Sequence, residues 1–253
     1  MGPPFCRLRA EALKLLAQRL QPDILAVSGD LVQWSGDRQA WADVGDYLRS
    51  FDLPLAVRPG NHDIARLHLG RRLSNPLRFF RTHVHQHGDH IQHHKGISIA
   101  AIATPKRRCL ELGVLSPKQC TTLKDELQQE PKNLKVVVMH HGLKQLGPPI
   151  RRTAVWGAGY LRKLFEKLKV DLVLTGHNHF PWVEELGTSR PFLWCQTGTA
   201  TSRRIRPFTQ ETNVVSLIGF NDSMISVQHF HYDAPKKTFI AQPSQSFARN
   251  LSE

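Results

Sequence analysis

Apolar residues along the first two thirds of the chain alternate between helical and strand-like spacing. Leu8, Ala12, Leu16 and Leu20 are spaced for one face of a helix, and the short apolar segment DILAVS follows as a buried strand. Helical spacing returns at 41–51, 117–129 and 161–168, and the segments PLAVRP, GISIAAIAT, KVVVMH and DLVLTG have the composition of strands. Helices and strands that alternate in this way predict an α/β sheet covered by helices.

The pattern changes after Pro181, where short apolar segments are separated by Gly, Ser and Asn-Asp turns. The segments are WVEEL, PFLWCQTG, NVVSLIGF and MISVQHFHY, and this spacing predicts antiparallel strands. Beyond Tyr232 the chain is polar, contains Pro and lacks periodicity, which predicts a loose tail. We therefore expect one domain at 1–233 and a polar C-terminal extension at 234–253.

Composition and charge narrow the function classes only slightly. Lys and Arg number 34 against 21 Asp and Glu, a formal charge of +13 that favours phosphate esters, nucleic acid or other acidic partners. Because these charges are scattered, simple solubility is an equal alternative. Four widely spaced cysteines predict free thiols and a cytoplasmic location rather than a disulfide framework. The segment MGPPFCRLRAEALKLL does not have the features of a signal peptide and no apolar stretch reaches the length of a membrane span, so we expect a soluble, intracellular protein.

Potential ligand side chains follow four of the predicted strands at the point where each strand ends. The carboxyl ends of parallel strands meet at one edge of a sheet, so we expect these side chains to lie together. The residues are Asp30, Asn61 with His62, His140 with His141, and His177 with His179.

These residue types suit metal-assisted hydrolysis. Carboxylate, amide oxygen and imidazole bind Mn, Fe, Co or Zn, and no thiolate is present to select a softer metal. Two ions that act on one phosphoryl group need a bridging carboxylate, and Asp30 is the natural bridge. The leaving alkoxide needs a proton, which His62 can supply if Asp63 orients its ring.

The motifs GDL at 29–31, GNHD at 60–63, HH at 140–141 and GHNH at 176–179 resemble the calcineurin-like metallophosphoesterase superfamily. The ordered motifs of that superfamily are DxH, GD, GNH[DE], H and GHxH. Within it, the chain is most similar to the bacterial branch that includes class III cyclic-nucleotide phosphodiesterases. The resemblance implies a four-layer α-β-β-α sandwich and hydrolysis of phosphoester bonds, with phosphodiesters favoured.

The resemblance also implies a role for each matched residue. Asp30 would bridge two divalent ions, Asn61 and His177 would bind the second, and His179 would bind the first. His140 would complete the second site, or His141 would do so if the strand ends one residue later. His62 would stabilise the phosphoryl oxygens or protonate the leaving group.

The first motif of the superfamily does not occur, since no Asp-x-His sequence precedes Asp30. The first metal is then left with Asp30 and His179, fewer than the three protein ligands usual at such a site. We expect a late-starting sequence that omits the first strand and its motif. The alternative is a true loss, which would leave a weak enzyme or a noncatalytic scaffold.

Three further features have structural alternatives. Arg203 and Arg204, with Arg206, are candidates for clamping a substrate phosphate, although we favour a solvated basic turn. Six histidines lie between His83 and His94, and we interpret this tract as a solvated loop rather than a metal site. Trp34 either lines a pocket beside Asp30 or packs beneath the next helix.

Overall fold

Helices and strands follow one another in the order that the apolar spacing predicts. The computed structural model describes residues 5–65, 69–84, 90–106, 109–146, 154–203 and 213–250. Its helices are α1 (Arg7–Leu20), α2 (Arg38–Arg49), α3 (Leu69–Ser74), α4 (Arg78–His83), α5 (Pro117–Leu127) and α6 (Ala158–Lys167). The helices predicted from spacing correspond to α1, α2, α5 and α6. None of the helices in the described ranges is both long and apolar enough to cross a membrane.

The strands form two larger sheets and two short pairs. They are β1 (Leu25–Val27), β2 (Leu55–Val57), β3 (His90–His94), β4 (Ile97–Ala101), β5 (Pro105–Lys106), β6 (Cys109–Gly113), β7 (Leu134–Val138), β8 (Leu172–Thr175), β9 (Trp182–Leu186), β10 (Phe192–Gln196), β11 (Val214–Phe220), β12 (Met224–Asp233), β13 (Thr238–Ala241) and β14 (Gln245–Ala248). The larger sheets are β3-β4-β7-β8-β10-β9 and a four-stranded sheet in which β11, β13 and β14 pair with β12.

The six-stranded sheet has a parallel centre and antiparallel edges. Strands β4, β7, β8 and β10 are parallel, whereas β3 and β9 pair antiparallel with their neighbours. The prediction of an antiparallel second half was therefore only partly right. Strand β10 extends the parallel sheet because it pairs with β8, and β11 to β14 form the antiparallel sheet.

The core lies in layers on both faces of the six-stranded sheet. Val137 and Val173 pack against α5 and α6 on one face. Val136 and Val138 point the opposite way, as alternate strand residues must, and share a core with Ile225 of β12. Helix α1 covers the outer face of the C-terminal sheet. The resulting order, helix, sheet, sheet, helix, is the predicted four-layer α/β sandwich.

The β1–β2 pair carries two of the site loops and is covered by α2. Trp41 of α2 is fully buried there, and its indole N–H donates to the Ser35 carbonyl at 3.0 Å. Within the described ranges β1 pairs only with β2, and Ala26 at its centre is exposed while Ala56 of β2 is buried. Among the described residues, no strand therefore lies beside the outer edge of β1.

Two segments differ from the sequence-based expectation. Residues 238–241 and 245–248 form β13 and β14 on the edge of β12, where a loose tail was predicted. Part of the histidine-rich tract, interpreted as a solvated loop, is strand β3, and residues 85–89 lie outside the described residues. All three strands, β3, β13 and β14, were missed because edge strands bury few side chains and so leave little apolar periodicity.

Candidate metal centre

The loops after β1 and β2 meet through two glycines. A Cβ atom on Gly60 would lie 2.1 Å from Asp30 Oδ1, and one on Gly29 would lie 2.5 Å from the Gly60 nitrogen. Gly29 also has a φ of 99°, which side chains rarely tolerate. Only glycine at both positions lets the loops approach this closely. The His62 backbone N–H then donates to Asp30 Oδ1 at 3.0 Å.

Four predicted ligands from four strand ends converge on one point. Asn61 Oδ1 lies 3.1 Å from His140 Nε2 and 3.2 Å from His177 Nδ1, and these two ring nitrogens are 3.1 Å apart. Asp30 Oδ1 is 3.5 Å from His140 Nε2. The structure therefore brings together a carboxylate, an amide oxygen and two imidazoles, as the strand-end argument predicts.

Three residues of the proposed site have backbone in a strained conformation. Asp30, His177 and His179 have φ values of 57°, 70° and 66°, in the left-handed region that residues other than glycine adopt at a cost. Strained backbone persists only where the surroundings hold it. Here the holding contacts come from the loops themselves and from the strands beneath them.

Hydrogen bonds fix the two central histidines. His140 Nδ1 donates to the Ser28 carbonyl at 2.6 Å, since a carbonyl oxygen can only accept, and the His140 carbonyl accepts the Gly176 N–H at 3.0 Å. The loop carrying His177 is held from below, where buried Asn178 donates to Gln196 Oε1 at 2.7 Å. The His140 ring and the loop that carries His177 are thus held by contacts within the protein.

His141 is buried beside this cluster but contacts different residues. Its Nδ1 lies 2.8 Å from Thr104 Oγ1, and its ring centroid is 4.9 Å from that of His140 and 4.7 Å from that of His177. Burial, followed by the charges of His140 and His177, holds the pKa of His141 well below its ordinary value. His140 is therefore the histidine that faces Asn61 and Asp30.

Asp63 contacts backbone groups rather than the His62 ring. Its carboxylate accepts N–H groups from Gly60 at 2.7 Å, Val32 at 3.1 Å and Leu31 at 3.2 Å. The His62 ring instead places Nδ1 3.3 Å from the Gln33 carbonyl. The sequence proposed Asp63 as the group that orients His62, whereas the hydrogen bonds place the Gln33 carbonyl in that position.

The pKa values of Asp30 and Asp63 are shifted in opposite directions. Burial alone would raise the pKa of Asp30, but the charges of His140 and His62 and the His62 N–H outweigh it, so this pKa lies below its ordinary value. Burial, followed by the charge of Asp30, raises the pKa of Asp63 to about 7 against the effect of its three N–H donors. Asp30 is thus the carboxylate that the site keeps ionised.

A comparison of the chain with sequence models of protein families shows the family to which it belongs. The model described as calcineurin-like phosphoesterase matches residues 7–181, which is more than half of the chain. The chain belongs to the calcineurin-like phosphoesterase family. It is therefore a metal-dependent phosphoester hydrolase by family membership, and the sequence-based resemblance is confirmed. No curated protein sequence matches the chain significantly.

Solved structures of other proteins share the fold of this phosphoesterase at low sequence identity. A dimetal phosphatase from Danio rerio is 11% identical with a TM-score of 0.66, over 96% of this chain and 90% of that one. The purple acid phosphatase PPD1 from yellow lupin is 13% identical with a TM-score of 0.71, over 96% and 49%. GAP50, described as the anchor in the inner membrane complex of Plasmodium, is 15% identical with a TM-score of 0.62, over 97% and 84%.

The remaining predicted residues of this phosphoesterase that the structure describes differ in their exposure. His179 is half-buried, with its carbonyl next to Gly198. Arg203 is exposed and contacts the Cys6 thiol, whereas Arg204 lies outside the described residues. Trp34 does not pack beneath α2, because its side chain is 57% exposed. Gln33 and Thr104 could not be predicted from the sequence, since their contacts depend on how separate loops meet.

Proposed function

We propose that this phosphoesterase hydrolyses phosphodiester bonds with two divalent metal ions held at the strand ends. The observation that carries the proposal is the convergence of Asn61 Oδ1, His140 Nε2 and His177 Nδ1 within 3.2 Å of one another, beside Asp30. Oxygen and nitrogen lone pairs that face one another this closely are stabilised by a cation among them. The donor set therefore fits a divalent ion.

The residues divide between two ions as follows. Asp30, Asn61, His140 and His177 would hold one ion, and Asp30 with His179 would contribute to the other. Their oxygen and nitrogen donors suit Mn, Fe, Co or Zn. When bound, such a pair activates a water molecule and neutralises the charge of a phosphoryl group.

His62 would hold and move the proton in this reaction. The Gln33 carbonyl can only accept, so the 3.3 Å contact assigns the hydrogen of the neutral ring to Nδ1 and leaves Nε2 to exchange a proton with the substrate. Its backbone is fixed by the bond to Asp30. His62 can thus stabilise the phosphoryl oxygens or protonate the leaving oxygen.

The charge of the chain supports an anionic substrate of this phosphoesterase. A formal charge of +13 attracts nucleotides, cyclic nucleotides and nucleic acid alike, and Arg203 and Arg204 remain candidates for a phosphate clamp. Cys6, Cys120 and Cys195 are free thiols, which supports a cytoplasmic location. A phosphodiester is favoured over a monoester by the sequence resemblance.

The proposal is tested by counting metal and measuring turnover together. Metal-stripped protein is reconstituted with Mn²⁺, the bound metal is counted by elemental analysis, and hydrolysis of bis(4-nitrophenyl) phosphate is compared with that of 4-nitrophenyl phosphate. We expect two ions per chain and faster hydrolysis of the diester. Asp30→Asn should lose both metal and activity, and an active, fully metallated Asp30→Asn protein would disprove the bridging role.

A noncatalytic binding or scaffold function is the second candidate. The closest hydrogen-bonded cluster assembles the proposed ligands of one ion. GAP50, which shares the fold, is described as an anchor. One bound Mn²⁺ per chain with no hydrolysis of either ester would favour this candidate.

A further inference from the structure

A buried nitrogen beside the proposed metal centre lacks a hydrogen-bond partner. Nε2 of His141 is fully buried and makes no well-formed hydrogen bond within the described residues, although the Glu111 backbone carbonyl lies near the ring. Buried polar atoms are nearly always paired, and an orphaned one calls for an explanation such as an ion. An imidazole nitrogen with this property, next to two proposed ligands, points to metal coordination.

The other ring nitrogen of His141 is anchored in the way that metal-binding histidines are. Ligating histidines generally use their second nitrogen in a hydrogen bond that fixes the ring. His141 Nδ1 lies 2.8 Å from Thr104 Oγ1, and His140 Nδ1 lies 2.6 Å from the Ser28 carbonyl. The two adjacent histidines therefore share one arrangement, with Nδ1 anchored and Nε2 left for a ligand.

The position of the His141 ring is compatible with a shared ion. One ligand atom each from His140, His141 and His177 lies within 4.8 Å of the others. The ring is also confined, because a Cβ atom on Gly113 would come within 2.4 Å of His141 Nδ1. The ring is thus seated against a glycine rather than loosely packed.

We infer that His141 binds metal through Nε2, together with His140 and His177. The sequence resemblance assigns one histidine to this strand end and leaves His140 and His141 as alternatives. The geometry instead gives both a place, which adds a nitrogen ligand to the proposed centre. This inference rests on the proposed metal-dependent function.

The test removes Nε2 and keeps the anchoring contact. In His141→Asn the side-chain amide reaches the position of Nδ1, so the contact with Thr104 is retained while the distal nitrogen is lost. We expect Co²⁺ affinity, measured by calorimetry on metal-stripped protein, to fall at least about tenfold, with an unchanged thermal midpoint of the metal-free protein. His229→Asn, at a half-buried histidine bonded to Ser216 outside the site, is the matched control and should leave Co²⁺ affinity unchanged.

A spectroscopic measurement on the wild-type protein tests the same inference without a substitution that could impair folding. Wild-type protein labelled with ¹⁵N-histidine is loaded with ¹¹³Cd²⁺, and the scalar coupling between cadmium and each ring nitrogen is recorded. Coupling to Nε2 of His141 supports the inference. Metal binding with coupling to His140 and His177 only, and unaltered Co²⁺ affinity in His141→Asn, would overturn it while leaving the proposed function intact. A wild-type protein that binds no metal would overturn both.

Discussion

At the scale of single residues, His62 and Asp63 are neighbours in sequence with different tasks. The His62 ring lies at the Gln33 carbonyl, whereas the Asp63 carboxylate ties the loop after β1 to the loop after β2. A histidine that exchanges protons affects the rate, and a carboxylate that joins two loops affects stability. Substitutions at the two positions should therefore change different measurements.

His62→Ala should abolish most turnover while metal binding survives. General acid catalysis contributes about 10²- to 10⁴-fold, so kcat for a phosphodiester should fall within that range. The bond from the His62 backbone to Asp30 is unaffected by the substitution, and Mn²⁺ per chain should remain that of the wild type. An equal loss of metal and rate would instead place His62 among the ligands.

Asp63→Asn should lower stability, because the amide replaces one accepting oxygen with a donor that faces backbone N–H groups. An unsatisfied buried donor costs about 1–3 kcal/mol, which should appear as a lower free energy of unfolding in urea for the metal-free protein. Asp37→Asn is the matched control. Asp37 caps α2 by accepting the Ala40 N–H, and Asn caps a helix equally well. The free energy of unfolding of the Asp37→Asn protein should therefore be unchanged. If the Asp63→Asn and Asp37→Asn proteins were equally stable, Asp63 would not stabilise the protein by joining the two loops.

At the scale of elements, the sequence predicts a helix or strand well where burial is one-sided or complete. Helix α2 and strand β7 were found from spacing because Trp41 and Val44 share a buried face and all of Leu134–Val138 is buried. Strands β3 and β14 were not found, since both lie at sheet edges. The ligands were predictable because they follow apolar strands, whereas the partner of Asp63 depends on contacts between loops some 30 residues apart.

Strand β12 carries two histidines that should make stability depend on pH. Burial, followed by the charge of His231, lowers the pKa of His229, and burial lowers that of His231. A histidine with a lowered pKa in the folded state stabilises the protein above the unfolded value of about 6.5, and this contribution is lost as the pH falls through the folded pKa. The free energy of unfolding should therefore decrease on acidification below about pH 6.5.

His229→Gln should reduce this acid-dependent loss. One proton taken up on unfolding changes the slope by up to about 1.4 kcal/mol per pH unit, which urea unfolding at a series of pH values can resolve. Gln228→Ala, at a position of β12 without a titrating side chain, is the control and should leave the slope unchanged. If both variants keep the wild-type slope, protonation of His229 makes no contribution to acid unfolding.

At the scale of the whole molecule, the C-terminal segment joins the two larger sheets at the end opposite the metal centre. Strand β14 pairs with β12, and beyond it Arg249 approaches Asp171, the buried residue that precedes β8. Arg190 donates to both Asp171 and the Asn250 carbonyl, and Asn250 donates to the Pro191 carbonyl at 2.6 Å. These contacts make residues up to 250 part of the folded unit.

Deletion of residues 243–253 should therefore destabilise the protein without weakening metal binding. The deletion removes β14 and the contacts of Arg249 and Asn250, and a loss of about 2 kcal/mol would lower the thermal midpoint of metal-free protein by about 4–8 °C. Arg249→Met should reproduce part of that decrease, because it leaves Arg190 as a partner of Asp171. Deletion of 251–253 alone is the control, since none of these contacts involves those residues. An unchanged midpoint after the longer deletion would support the domain boundary at 233 that the sequence predicted, whereas reduced Co²⁺ affinity would show that the two ends of the sheet are coupled.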